Sequence, residues 1–318
     1  MMKKIVLIIF TVISIAGLAF AADLKIQSNK QEFSDKDNKI FLDGNVNVKM
    51  DDLNIMSPKA QVELDPETKK IKNVEFLNNA YSYQVKANKK HEIKANILKL
   101  SLLDKVLTAQ GNAQSSVTEN NKPLVIITAD KQEYNKNTNV MKASGQVIVY
   151  YKDIETFSNS AIVDLTKQNE IKRIQLIGNG IIKQKNNKIS ADRLSYDTYR
   201  QEAIAQGNVY TDVITEDGSP LKVWSNYQMY NDRDNYIVAS GNTVIKFKDY
   251  TARGPKASVF PDKKTNKLNE VVFTGRSKIE QQGRTIEADR IRMTLNPKDF
   301  AAEGNVTTII PNVQSMEN

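Results

Sequence analysis

Eight glycines and one asparagine recur along this chain at intervals of 29–34 residues, each inside a segment that otherwise reads as a β-strand. The copies are LDGNVNV at Gly44, FLNNAYS at Asn78, AQGNAQS at Gly111, ASGQVIV at Gly145 and LIGNGII at Gly178. They continue with AQGNVYT at Gly207, ASGNTVI at Gly241, FTGRSKI at Gly275 and AEGNVTT at Gly304. Around Gly207, the residues Ala205, Val209, Thr211 and Val213 fall on one face by period-two alternation. A glycine there costs about 0.5–1 kcal/mol relative to alanine. It marks a bulge, a bend or a close backbone approach. Asparagine at position 78 suits the same role, because its short polar side chain tolerates unusual backbone angles.

A second column accompanies the first. IKAN (Ile93, Ala95), ITAD (Ile127, Ala129), ISAD (Ile189, Ala191) and IEAD (Ile286, Ala288) share one pattern, with IQSN (Ile26, Ser28) and VWSN (Val223, Ser225) as weaker copies. In each, the small residue lies 16 positions before the column glycine. The rows leading to Asn78, Gly178 and Gly275 lack the motif, so every third row differs. The outcome is a super-repeat of three rows, with steps of 101 and 96 residues from Gly44 to Gly145 to Gly241. Polar turns such as KDNK (36–39), NKNTN (135–139) and NDRDN (231–235) separate extended arms. About nine two-strand rows, about 18 strands, predict an all-β, quasi-one-dimensional antiparallel stack over residues 22–318. Its three super-repeats cover about 22–120, 121–219 and 220–312.

Stacked in register, Gly44, Asn78, Gly111, Gly145, Gly178, Gly207, Gly241, Gly275 and Gly304 form a line along which every strand bends. The sheet then creases lengthwise and faces its own apolar side. That side is supplied after the glycine by Val46, Val48, Val147, Val149, Val209, Ile245 and Val306, and before it by Ile93, Ile127, Ile189 and Ile286. Burying one aliphatic side chain returns about 1.5–3 kcal/mol, enough to offset the glycine cost many times. Two readings stand at this point: a closed core, or an apolar groove left open along one edge. The aligned Asp130, Asp192 and Asp289 are read as acids making local Asx-type hydrogen bonds near the bends.

The N-terminus carries MMKK, then IVLIIFTVISIAGLAF, then a small-x-small site at Ala19-Phe20-Ala21. This predicts a signal peptide over residues 1–21, cleaved before Ala22. The apolar run of about 16 residues is short of the ~20 a spanning helix needs. The alternative is an uncleaved anchor in the inner membrane. Either way the rest of the chain is exported, and with no cysteine it holds no disulfide. The formal net charge is +8, spread along the chain, which suits an anionic partner or plain solubility.

No catalytic constellation is visible. The single histidine, His91 in NKKHEIK, is read as a solvated surface residue in a turn-like segment. One histidine and no cysteine exclude the common zinc sites, and no cofactor is expected. The glycines stand in alternating strands rather than before a helix, so they cradle no phosphate. Trp224, Tyr196, Tyr227 and Tyr230 are read as interior or rim packing. Lys246, Lys248, Arg253 and Arg276 are read as solvated strand faces. An exported chain of diffuse charge meets no nucleic acid.

The I-x-A-D and A-x-G-N-V columns, in strand-turn-strand rows behind a signal peptide, resemble the periplasmic lipopolysaccharide-transport family LptA/OstA. Related folds occur in LptC and in the N-terminal part of LptD. The resemblance covers about residues 24–310. It implies an elongated, V-shaped β-jellyroll whose apolar interior takes up the acyl chains of lipopolysaccharide or a related acyl glycolipid. It also implies a periplasmic bridge from inner to outer membrane, built by edge-strand pairing with other jellyroll proteins or head-to-tail with itself. The edges would lie near residues 24–34 and 301–311. Family members are typically shorter, and nothing after Gly304 looks like a transmembrane barrel. The competing functions are an LptC-like anchored component, an exported structural repeat with a closed core, and a carbohydrate-active enzyme on a β scaffold.

Overall fold

The computed structural model describes residues 25–311, apart from residues 51, 87, 168–170, 216–217, 232, 234–235, 262–267 and 296–297. The expected signal peptide lies outside the described residues. The described residues are all-β, in twenty strands. They are β1 (Lys25–Gln27), β2 (Lys30–Ser34), β3 (Lys39–Met50), β4 (Leu53–Leu64), β5 (Ile71–Lys86), β6 (Lys89–Ser101) and β7 (Val106–Glu119). Next come β8 (Lys122–Asn135), β9 (Val140–Tyr151), β10 (Ile154–Leu165), β11 (Ile171–Gln184), β12 (Asn187–Asp197) and β13 (Glu202–Ile214). The last are β14 (Pro220–Asn231), β15 (Tyr236–Phe247), β16 (Tyr250–Pro261), β17 (Leu268–Gln281), β18 (Arg284–Leu295), β19 (Lys298–Glu303) and β20 (Thr307–Ile309).

The chain divides into two compact units, one up to residue 176 and one from residue 177, within β11. In the first unit β1 and β2 both pair with β3, and each strand from β3 to β10 pairs antiparallel with the next. In the second, the same ladder runs from β12 to β18, and β19 and β20 both pair with β18. The first and last arms are thus single arms interrupted at the bend, which accounts for twenty strands where about 18 are expected. Hairpin turns set the register. Between β7 and β8, Glu119 pairs with Lys122 around Asn120 and Asn121, both at positive φ, the geometry that two-residue hairpins favour.

The column positions share one backbone device. Gly111 has φ +75° and Asn112 φ +48°, and these two residues stand opposite the single Asp130 where the β7–β8 register shifts. Such a two-against-one step is a β-bulge, and Asn78 and Asn79 form the same pair in β5 at φ +66° and +65°. The residue facing the glycine comes from the strand before it. A Cβ built on Gly111 would lie 2.7 Å from Asn96 Nδ2 and 3.0 Å from Asn96 Cβ, and one on Gly304 would lie 2.7 Å from Asp289 Oδ2. Asn29, Asp130, Asp192 and Asn226 crowd Gly44, Gly145, Gly207 and Gly241 in the same way. The Asx residue always precedes its glycine by 15 positions.

Asp192 and Asp289 therefore bond across strands rather than in the local Asx turns read from the sequence. Asp192 accepts from Asn208 Nδ2 at 3.0 Å and Asp289 from Asn305 Nδ2 at 2.7 Å, both across strands. The Asx amide also donates to the glycine carbonyl, at 2.8 Å for Asn29 to Gly44 and 2.9 Å for Asp289 to Gly304. The rows without this motif use SPKA (57–60), SNSA (158–161) and GPKA (254–257), again 101 and 96 residues apart. There Pro255 Cγ would sit 3.0 Å from a Cβ on Gly275.

Candidate functional site

The bulge decides which side chains face inward. On the glycine strands the buried face crosses the bulge in a four-residue step, from Leu42 to Val46 and from Ala109 to Ala113. On the strands opposite, it crosses in three: Ser57 to Ala60, Ala95 to Leu98, Ala129 to Gln132, Ala191 to Leu194, and Ser225 to Gln228. The three-residue step reverses the period-two parity, so residues beyond the Asx position enter the interior.

In the first unit this inward face encloses a cavity of about 880 Å³, counted out to its open mouth. Its walls come from β6 to β11. Ile93, Leu107, Val125, Ile127, Val147 and Val149 form part of its apolar lining. Tyr134, Met141, Val163 and Ile174 line it too and belong to one packed cluster. A second cavity of about 480 Å³ shares Ile93, Leu107, Ser115, Val125 and Ile127 with it, and is lined further by Leu53, Ser82, Gln84 and His91.

Few polar groups enter the walls of the larger cavity. The Ser115 hydroxyl donates to Gln132 Oε1, and Gln132 Nε2 donates to the Ala113 and Ile127 carbonyls at 3.0 and 3.1 Å. Gln132 thus ties the backbone beside the bulge to its neighbour. In the second unit Thr211 donates to Gln228 Oε1 at 2.7 Å, 96 residues further along. Burial pushes the Tyr134 phenol above its ordinary range, so it stays neutral.

The structure brings four expected lining residues, Ile93, Ile127, Val147 and Val149, to the larger cavity. Val46 and Val48 are buried in the core cluster around β3 to β7. Val209 and Ile245 are buried in the second unit, where Ile189 and Ile286 are half-buried. Val306 is 50% exposed and stands just before β20, the short strand that ends the ladder.

His91 is corrected outright. It is 6% exposed, faces Gln84 of β5 from its place in β6 and lines the smaller cavity. The alternation His91, Ile93, Ala95 already carried that signal. Gln132 and Tyr134 were missed because the parity reversal is visible only once the bulge is known, and Thr156 because its strand carries SNSA in place of the commoner motif. Trp224 packs on the Tyr210 ring, centroids 5.1 Å apart, under Lys246 Nζ, while Tyr196 and Tyr230 are buried. Arg253 and Arg276 pair with Glu280 and Glu287, both at 3.2 Å, as ordinary strand-face ion pairs.

The described residues thus define an all-β class of fold, an antiparallel repeat with a bulge recurring from row to row and an apolar cavity in its first unit. Within that class, residues 25–123 match the family model described as LptA/(LptD N-terminal domain) LPS transport protein. Over that stretch the match bears out the resemblance carried by the repeat motifs. Among solved structures, one similar chain is LptH of Pseudomonas aeruginosa, titled the LptA homologous periplasmic component of its lipopolysaccharide transport device. It is 14% identical, with a TM-score of 0.33, over 39% of this chain and 83% of that one. No curated protein matches. Among the described residues no helix is long and apolar enough to cross a membrane.

Proposed function

We propose that this protein is a non-enzymatic carrier of lipopolysaccharide or a related acyl glycolipid, working in the periplasm as part of a bridge toward the outer membrane. The observation that carries this reading is the apolar cavity of about 880 Å³ behind the bulge column. Ile93, Leu107, Ala109 and Ser115 of its lining fall inside the family-matched stretch, and its other walls continue the same repeat beyond it. Acyl chains need apolar walls and an open mouth, not acid–base groups. The bulge column keeps the two arms of each row folded toward a shared interior. The partners proposed are other jellyroll proteins, or further copies of this chain, meeting the end strands β1, β2, β19 and β20. Unpaired strand edges are templates for such addition.

The test is displacement of a fluorescent acyl probe from the purified chain by lipopolysaccharide. Val149→Asp places a charge in the cavity wall, and Ala161→Trp fills the cavity without charge. Each is expected to weaken probe binding about tenfold or more, equivalent to at least ~1.4 kcal/mol. Folded variants that bind as tightly as the unmodified chain would overturn the proposal.

A further inference from the structure

Thr156 is 2% exposed and Ser158 is 6% exposed, on the inward face of β10. Neither hydroxyl has a hydrogen-bond partner among the described residues. Thr156 lines the larger cavity, where its strand neighbour is Val149 and the next residue across is Ile127. The other buried polar pair of that wall, Ser115 and Gln132, is bonded within itself. Buried hydroxyls in proteins find partners, and one left alone asks for an explanation. Valine has nearly the shape of threonine and would line an apolar wall without that penalty.

We infer that Thr156 is a polar recognition point within the cavity, selecting acyl chains that carry a hydroxyl or carbonyl oxygen part-way along their length. The inference rests on the acyl-carrier reading above and adds a chemical class to it. A hydroxyl both donates and accepts, so Thr156 serves a ligand hydroxyl as well as an ester or amide carbonyl. Rotation about χ1 exchanges its methyl and hydroxyl between staggered positions, which turns the oxygen toward a chain lying in the cavity. Sites of this kind are mostly apolar, with a few placed polar groups that fix orientation. A plain hydrocarbon chain leaves the hydroxyl unpartnered. A hydroxylated one does not, provided its oxygen arrives at the depth of β10.

The experiment uses the full mature chain and a series of tetradecanoic acids, one plain and the others with a single hydroxyl walked along the chain. The unmodified protein is expected to prefer one hydroxylated isomer over the plain acid by roughly three- to tenfold, the range of a single net hydrogen bond. Thr156→Val is expected to lose that preference, to bind the plain acid at least as well, and to melt no lower than the unmodified chain. Thr156→Ser, which keeps the hydroxyl, is expected to retain the preference. A preference that survives in Thr156→Val overturns the inference, as does plain-acid binding with no preference in the unmodified protein. If no acid of the series binds at all, the acyl-carrier reading itself fails, and this one with it.

Discussion

At the scale of single residues, the recurring glycine answers two demands at once. It must hold φ near +75°, and it must leave room for the Asx side chain of the preceding strand. The two costs separate by mutation. Gly218 also has positive φ, +81°, but nothing among the described residues lies within 4 Å of a Cβ built there. Gly218→Ala is expected to cost only the left-handed penalty, ~1–2 kcal/mol. Gly111→Ala adds the overlap with Asn96 and is expected to cost about 1–2 kcal/mol more, within the usual range for overpacking. Adding Asn96→Gly should recover that extra part and leave the rest, as a positive coupling in a double-mutant cycle read by urea unfolding. Equal losses at positions 111 and 218 would mean that crowding plays no part. The glycine column and the Asx column were both legible in the sequence. Their contact was not, since a constant 15-residue offset does not distinguish a local turn from a cross-strand pair until the hairpin register is known.

At the scale of strands, the bulge turns a simple alternation into two interleaved ones, and expectations strayed there. Period-two reading runs correctly through the glycine arms, as Val46, Val147 and Val209 show by their burial. It fails on the opposing arms, where the three-residue step carries Leu98, Gln132, Leu194 and Gln228 inward. The outer strand faces are held by paired charges. The Lys99 ammonium, 2.8 Å away, and the Gln61 amide hold the Glu75 carboxyl below its ordinary value of 4.5, against the opposing effect of burial. For Glu92, burial pushes the carboxyl up, but hydrogen bonds from Lys90 and Tyr81 outweigh it and hold it down.

A carboxyl depressed in the folded state gives stability that is complete above its unfolded pKa and is lost as pH falls through the folded one. The melting temperature is therefore expected to drop below about pH 4.5. Glu75→Gln should lower stability slightly at neutral pH and make the acid-side drop shallower. Parallel melting profiles for the two proteins would contradict the assigned role of the Glu75–Lys99 pair.

At the scale of the whole chain, fold class and row count were plain from the repeat, because each row carries its own punctuation of turn, Asx and glycine. The third rows looked empty only because SPKA, SNSA and GPKA replace the commoner motif. Whether the interior was closed or open could not be read from the sequence. Alanines, valines and isoleucines fill a core or line a groove with the same pattern, and only packing decides. In the first unit, packing leaves the cavity of about 880 Å³, and the central claim is that acyl lipid occupies it. The direct measurement is mass spectrometry of the organic extract from the protein, expressed with its own N-terminal segment and purified. The account predicts an acyl glycolipid at close to one equivalent per chain, reduced in Val149→Asp. A fully folded protein whose extract contains no acyl lipid would contradict it.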